Sequence, residues 1–147
     1  MRIVTTAGPA VAEALVAPLR ALGPVSDGVA EMPYTECGAV YNDPPHPHAY
    51  LGDNVLVRDF DGEQAAAVTR LTGPGSPVPC VLDVRHLGGA LGRPPAVPNA
   101  VGHRAAGYLV RVLSPLALAD AGEAAALHRK VLDVFARERL GRAQNLV

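Results

Sequence analysis

Two stretches rich in β-branched and aliphatic residues constrain the fold of this chain more than any other feature. Residues 80–87 and 108–113 are each bounded by Gly and Pro, a composition typical of β-strands. The connection between them is rich in glycine and proline, which form turns. We therefore expect the two segments to be neighbours in one sheet.

Alternation divides both segments into two faces, because successive side chains of a strand point in opposite directions. One predicted face is almost wholly apolar and consists of Cys80, Leu82, Val84, His86, Ala106, Tyr108, Val110 and Val112. The other, called the mixed face below, places charges among aliphatic residues and consists of Val81, Asp83, Arg85, Leu87, Gly107, Leu109 and Arg111. The pattern predicts a sheet with one face in its own core and a mixed face available to another molecule.

Length and composition exclude several classes of function. A chain of 147 residues suits one domain, which we expect to span residues 1–147. A net charge of −1 and a pI near 6.5 indicate no nucleic-acid or anionic-lipid partner. No apolar run approaches the roughly 20 residues that span a bilayer. Two cysteines and no recognisable leader favour the cytoplasm.

Periodicity elsewhere predicts further helices and strands. Helices are expected over residues 10–22, over 61–72, and from either Ser114 or Asp120 to about residue 140, with strands over 2–6 and 50–59. Together these elements predict an α+β domain. Its sheet should be largely antiparallel with about four strands, and its helices should pack on one face.

Residues 25–50 lack periodicity and are rich in turn-forming residues. Loops of this length inside a compact domain are often functional. A short helix is expected after Pro33. His46 and His48, with a proline between them, do not have a recognisable zinc spacing, so we expect no metal site here.

If the domain is a catalyst, its site should lie where this irregular segment meets the mixed face. Tyr34 would position or protonate the substrate, and Glu36 or Asp83 would act as base. Arg85 or Arg111 would stabilise developing negative charge. The other expected substrate contacts are Tyr41, Tyr50, Arg58, His103 and Leu109. An ordinary solvated surface explains the charges equally well, and a structural role explains His103, so these alternatives stay open.

The chain also resembles a known family over nearly its whole length. Residues 84–95 (VRHLGGALGRPP) and 100–108 (AVGHRAAGY) resemble the strand-GG-strand portion of the berberine-bridge-enzyme-like FAD-linked oxidoreductases. Residues 19–24 (LRALGP) and 32–35 (MPYT) are similar to that family's substrate domain, in the same order. The resemblance implies the substrate-domain fold, in which one sheet face roofs the flavin and the substrate.

Two family features are missing, and they limit what the resemblance implies. The flavin-binding domain would precede Met1, and the closing Tyr-x-Asn motif corresponds to residues 143–145, where Ala143 replaces the tyrosine. The resemblance therefore implies neither oxidation nor bound FAD, and we expect no cofactor.

Two hypotheses of function follow. In the first, a stand-alone domain binds an apolar small molecule and catalyses a non-redox step, cyclisation or isomerisation, in natural-product biosynthesis. In the second, the chain is a non-catalytic module that docks on a separate flavoprotein or on its own copy. A truncated remnant of an FAD-dependent oxidoreductase is a further alternative. In each case an apolar patch around Leu56, Leu87 and Leu109 predicts a homodimer.

Overall fold

The structure is a computed structural model that describes residues 3–41 and 45–144. The chain forms two compact units, Met1–Pro47 and His48–Val147, and each is described by itself. The sequence predicted a single module over residues 1–147, and that organisation stays a prediction. No helix among the described residues is long and apolar enough to cross a bilayer.

Three helical elements lie among the described residues of the first unit. Helix α1 spans Pro9–Arg20, close to the predicted range, and has proline at its first position, where a missing N–H costs nothing. A 3-10 helix at Tyr34–Glu36 and helix α2 at Gly38–Tyr41 confirm the short helix expected after Pro33. The strand predicted over residues 2–6 is wrong for its described part, because residues 3–6 have no regular structure and pair with no described strand.

The second unit is built on an antiparallel sheet. In its described residues the strands are β1 (Tyr50–Val57), β2 (Val81–His86), β3 (Tyr108–Pro115) and β4 (Arg139–Gly141), in the order β2-β3-β1-β4. The predicted pairing of residues 80–87 with 108–113 is confirmed, with Val81 opposite Leu113 and His86 opposite Tyr108. The predicted α+β class, with an antiparallel sheet of about four strands, is also confirmed.

Two helices of this unit begin at aspartate caps. Helix α3 (Gly62–Thr72) starts with a capping box, in which Asp61 and Gln64 each bond the other's backbone N–H. Helix α4 (Ala121–Asp133) starts at Asp120, whose side chain accepts two backbone N–H groups. Asp120 is thus the correct one of the two predicted starts, since Ser114 and Pro115 belong to β3. The helix ends well before residue 140, because β4 pairs there with β1.

Helices α3 and α4 pack on the face of the sheet that alternation predicted to be apolar. The core there contains Val55, Val57, Val68, Val78, Val110, Val112, Ala124, Leu127, Val131, Leu132 and Phe135. Apolar burial contributes about 25 cal/mol per Å2, and the valine-rich strands supply it because β-branched side chains pack well on a pleated surface. This layer holds the second unit together.

The mixed face is divided into two parts. The first, which we call the covered part, contains the buried residues Leu56, Ala106 and Leu109, with Leu87, Leu140 and Ala143 packed around them. The second, which we call the charged part, contains Asp83, Arg85 and Arg111, whose side chains are partly accessible. Ala106 was predicted on the apolar face. It lies with Leu109 instead, because regular alternation begins only at Tyr108.

The long connection from β2 to β3 contributes to the covered part and is held by one arginine. Gly88 and Gly89 have φ of 120° and 52°, conformations that favour glycine, and they turn the chain away from β2. Arg104 then donates to the carbonyl oxygens of Leu91 and Arg93 at 2.9 and 3.2 Å, and to Asn99 Oδ1 at 2.7 Å. The guanidinium fork therefore ties the two ends of this connection together.

Candidate functional site

Three polar side chains form a row across the sheet on the mixed face. Asp83 of β2 lies opposite Arg111 of β3, and Arg111 lies opposite Asn54 of β1. Residues directly opposite in antiparallel strands have Cβ atoms roughly 5 Å apart, so these side chains are neighbours. The row thus contains Asp83 and Arg111 of the charged part and ends at Asn54.

Asp83 is already engaged within its own strand. Arg85 Nε donates to Asp83 Oδ2 at 2.8 Å, and the two side chains remain 44% and 32% exposed. An exposed pair of this kind stabilises the fold by about 0–1 kcal/mol, so its role in the fold is small. A substrate could displace this bond at little cost, but Asp83 is not a free base while it persists.

Arg111 is the residue of this row with unused hydrogen-bonding capacity. Its guanidinium carbon lies 5.7 Å from the centre of the Tyr50 ring, within the range of a cation–π contact. Its Nε is buried and has no hydrogen-bond partner among the described residues. Buried polar groups are nearly always paired, so this unpaired N–H is an exception that calls for a reason.

Gly52 makes room for the Tyr50 ring. A Cβ at Gly52 would lie 3.3 Å from the Tyr50 ring and 3.8 Å from Arg111 Nη2. The ring is 47% exposed, so one side of it remains accessible beside the guanidinium group. The structure therefore brings Tyr50, Arg111, Asp83 and Arg85 into one region of the second unit.

Asn54 has a structural role that the sequence pattern did not indicate. It is fully buried, and its side-chain amide exchanges two hydrogen bonds with the backbone of Ala143, at 3.0 and 2.8 Å. The amide thus continues the pairing of β1 with the segment that follows β4. The sequence does show an amide side chain next to the apolar run 55–57. A buried amide is costly unless it is fully hydrogen-bonded, so this position could have indicated a structural hydrogen bond.

Three other predicted contacts lie elsewhere in the second unit. Leu109 is only 5% exposed, so the expectation that it contacts a ligand is corrected: it is a core residue of the covered part. Arg58 follows β1 at the end opposite Tyr50, and its backbone N–H bonds Glu138. His103 has φ of 54°, and its ring lies against the backbone of Gly141 in β4. None of the three joins the charged part.

The remaining predicted residues belong to the first unit. Tyr34 and Glu36 are exposed on the 3-10 helix, and Tyr41 ends α2. Their meeting with Asp83 and Arg111 stays a prediction, as does the role of each in catalysis. Across residues 3–41 and 45–144, no group of three or more His, Cys, Asp or Glu side chains is arranged to hold a metal ion.

A buried serine–histidine pair lies on the opposite face of the sheet. Ser114 Oγ and His128 Nε2 are 3.0 Å apart, and Asp53 is close enough for its charge to act on the imidazole. Ser, His and Asp are the components of a hydrolase triad, but Ser114 is fully buried and closed to a substrate. The pair is therefore part of the core.

Comparison with family models, with curated proteins and with solved structures gives no match for this chain. The resemblance to the berberine-bridge-enzyme-like oxidoreductases thus stays a prediction from short sequence motifs.

Proposed function

We propose that this protein binds a small molecule with an apolar body and an anionic oxygen group on the charged part of the mixed face. The observation that carries the proposal is the partly exposed Arg111 guanidinium group, which forms no ion pair with a described carboxylate of the second unit and lies beside the accessible Tyr50 ring. A ligand oxygen would accept hydrogen bonds from its Nη groups. The same ligand would cover the exposed side of the ring.

Arg111 is better suited to this role than Arg85. The Arg85 guanidinium already donates to Asp83, whereas no described carboxylate of the second unit pairs with Arg111. A guanidinium group presents its donors as a planar fork that matches carboxylate and phosphate oxygens. An anion at Arg111 would therefore form charge-assisted hydrogen bonds without first breaking an ion pair.

An apolar strip lies beside Arg111 and fits the body of such a ligand. Leu113 is two residues further along β3 on the same face, and Val81 lies opposite it in β2. The Val81 side chain is accessible to a ligand, since this residue is 58% exposed. A molecule lying across β2 and β3 would place its anionic group on Arg111 and its apolar part on Val81 and Leu113.

The finer proposal is a cofactor-independent cyclisation or isomerisation of this ligand. Arg111 would stabilise negative charge that develops in the transition state, and Asp83 would act as base after release from Arg85. Because Asp83 accepts a hydrogen bond from Arg85, it is not free to act as a base in this structure. Binding is therefore the primary proposal.

The test is a calorimetric titration with apolar carboxylic acids, each paired with its methyl ester. We expect the acids to bind and the esters to bind at least about tenfold more weakly, because an ester lacks the charge that Arg111 recognises. Arg111→Met should lose the preference for the acid. Arg129→Met removes an exposed arginine from helix α4 and is the matched control, expected to bind as the wild type does.

Equal binding of acid and ester, or unchanged binding by Arg111→Met, would reject the site. Asp83→Asn then separates the finer proposal from the primary one. If this variant retains affinity but loses turnover of the bound acid, Asp83 is the base. If it retains both within a few-fold, Asp83 is not the base.

A further inference from the structure

We infer that strand β2 pairs antiparallel with β2 of a second copy of this chain, which joins the two sheets into one continuous sheet. This pairing uses the edge of the sheet and does not depend on the proposed ligand. It also differs from a dimer formed through Leu56, Leu87 and Leu109, since Leu56 and Leu109 are buried within the chain.

The backbone of β2 has hydrogen-bonding groups that point away from its own sheet. It is an edge strand, and Leu87 N donates to Gly107 O at 2.7 Å at the end of its ladder with β3. Bonded pairs alternate in an antiparallel ladder, so Asp83 and Arg85 also bond to β3. The N–H and C=O groups of Leu82, Val84 and His86 consequently face outward.

Strand β2 lacks three of the features that often protect an edge, namely proline, lysine and a β-bulge. Its six residues contain no proline or lysine, and their register with β3 is unbroken. Val81 and Val84 are exposed on this strand, one on each face of the sheet. An unprotected edge with apolar side chains on both faces is suited to receive another strand.

One register of self-pairing brings opposite charges together and also pairs the outward-facing backbone groups. In this register a two-fold axis passes through Val84, so that Val84 faces Val84 of the second copy, and Leu82 of each copy faces His86 of the other. Each of these three facing pairs forms about two backbone hydrogen bonds, about six in all. Asp83 then lies opposite Arg85 of the second copy, and Arg85 opposite its Asp83. Val81 lies opposite Leu87, which covers the exposed valine with an apolar side chain.

Neighbouring registers lack this complementarity. An axis at Leu82 places Arg85 opposite Pro79, and an axis at His86 places Asp83 opposite Gly89, whose φ of 52° is incompatible with a strand. Opposite charges directly across a strand pair stabilise it, and like charges destabilise it. The order Asp-Val-Arg in the centre of β2 therefore selects the register centred on Val84.

The test uses two charge reversals and their mixture, with mass measured by light scattering after gel filtration. The wild type should be a dimer at micromolar concentration. D83R has only positive side chains at positions 83 and 85, and R85D has only negative ones. Like charges would then face each other across the strand pair, so each variant alone should be monomeric. Mixed in equal amounts, the two should form a heterodimer, because every opposed pair then has opposite charges.

D83R also places a positive charge opposite Arg111 and could misfold for that reason. A third variant therefore tests the same interface without changing a charged residue. V84K puts two lysines face to face at the two-fold axis and should be monomeric, with circular dichroism unchanged. V97K is the matched control on an exposed loop valine and should stay dimeric. A monomeric wild type, or a folded V84K that remains dimeric, would overturn the inference, and so would folded charge reversals that fail to associate when mixed.

Discussion

His128 Nε2 and Ser114 Oγ lie 3.0 Å apart between helix α4 and strand β3, and only 2% of His128 is exposed. The other ring nitrogen, Nδ1, is buried with no hydrogen-bond partner among the described residues. Burial lowers the pKa of His128, and the charge of Asp53 opposes this shift more weakly. The fold therefore favours a neutral imidazole.

Stability should consequently decrease as the pH falls below the usual histidine pKa of about 6.5. In that range the unfolded state binds a proton at His128 that the folded state excludes, so the free energy of unfolding falls by up to about 1.4 kcal/mol per pH unit. His128→Gln should flatten this part of the profile. Urea unfolding at a series of pH values between 5 and 8 measures it.

Ser114→Ala is the matched control for the pH profile. It removes the partner of Nε2 and should lower stability by about 1–3 kcal/mol at every pH. The slope should persist, because His128 remains buried and titratable. An unchanged slope in His128→Gln would mean that another group causes the pH dependence.

The burial of Leu109 predicts a large stability loss on truncation. Leu109→Ala should lower the free energy of unfolding by about 2–5 kcal/mol, since it leaves a cavity in the covered part beside Leu56. Leu118→Ala, at an exposed leucine, should stay within about 0.5 kcal/mol of the wild type. If both variants unfold at the wild-type urea concentration, Leu109 is not a core residue.

Arg104 should control the order of the connection between β2 and β3. Arg104→Met removes its three hydrogen bonds to Leu91, Arg93 and Asn99, so amide hydrogen exchange over residues 88–106 should become faster. In Arg93→Met the backbone carbonyl oxygen of residue 93 still accepts from Arg104, so the amide exchange rates should match those of the wild type. Equal protection in the two variants would show that the connection is held by other contacts.

Gly107 marks a close approach between two backbone segments. A Cβ at this position would lie 2.3 Å from the carbonyl oxygen of Arg58, so Gly107→Ala should lower the free energy of unfolding by about 1–3 kcal/mol. Gly62→Ala meets no atom within 4 Å at the start of α3 and should be neutral or stabilising. Thermal unfolding of both variants tests this difference, and equal melting temperatures would contradict it.

The sequence predicted those parts of the fold that depend on local patterns. Alternation assigned the residues of β2 to the correct faces because the side-chain period of a strand is two, and Asp120 marked the start of α4 because its side chain caps the helix. The strand β4 was missed. It has three residues, and its pairing with Leu56 and Val57 depends on the tertiary structure rather than on its own composition.

The candidate site was predictable in part for the same reason. Cross-strand neighbours such as Asp83 and Arg111 follow from the register of two recognisable strands. The burial of Leu109 could not be predicted, because it depends on Leu140 and Ala143, which lie beyond an intervening helix. The ion pair between Arg85 and Asp83 depends on side-chain rotamers, which no sequence pattern specifies.

The bond between Asn54 and Ala143 joins positions 89 residues apart. During synthesis the chain leaves the ribosome from its N-terminus, so Leu56 and Leu109 are made before Leu140 and Ala143, which cover them. Contacts of such high sequence separation form late, after loop closure has been completed. A nascent chain therefore exposes this apolar surface until residues 140–143 have emerged.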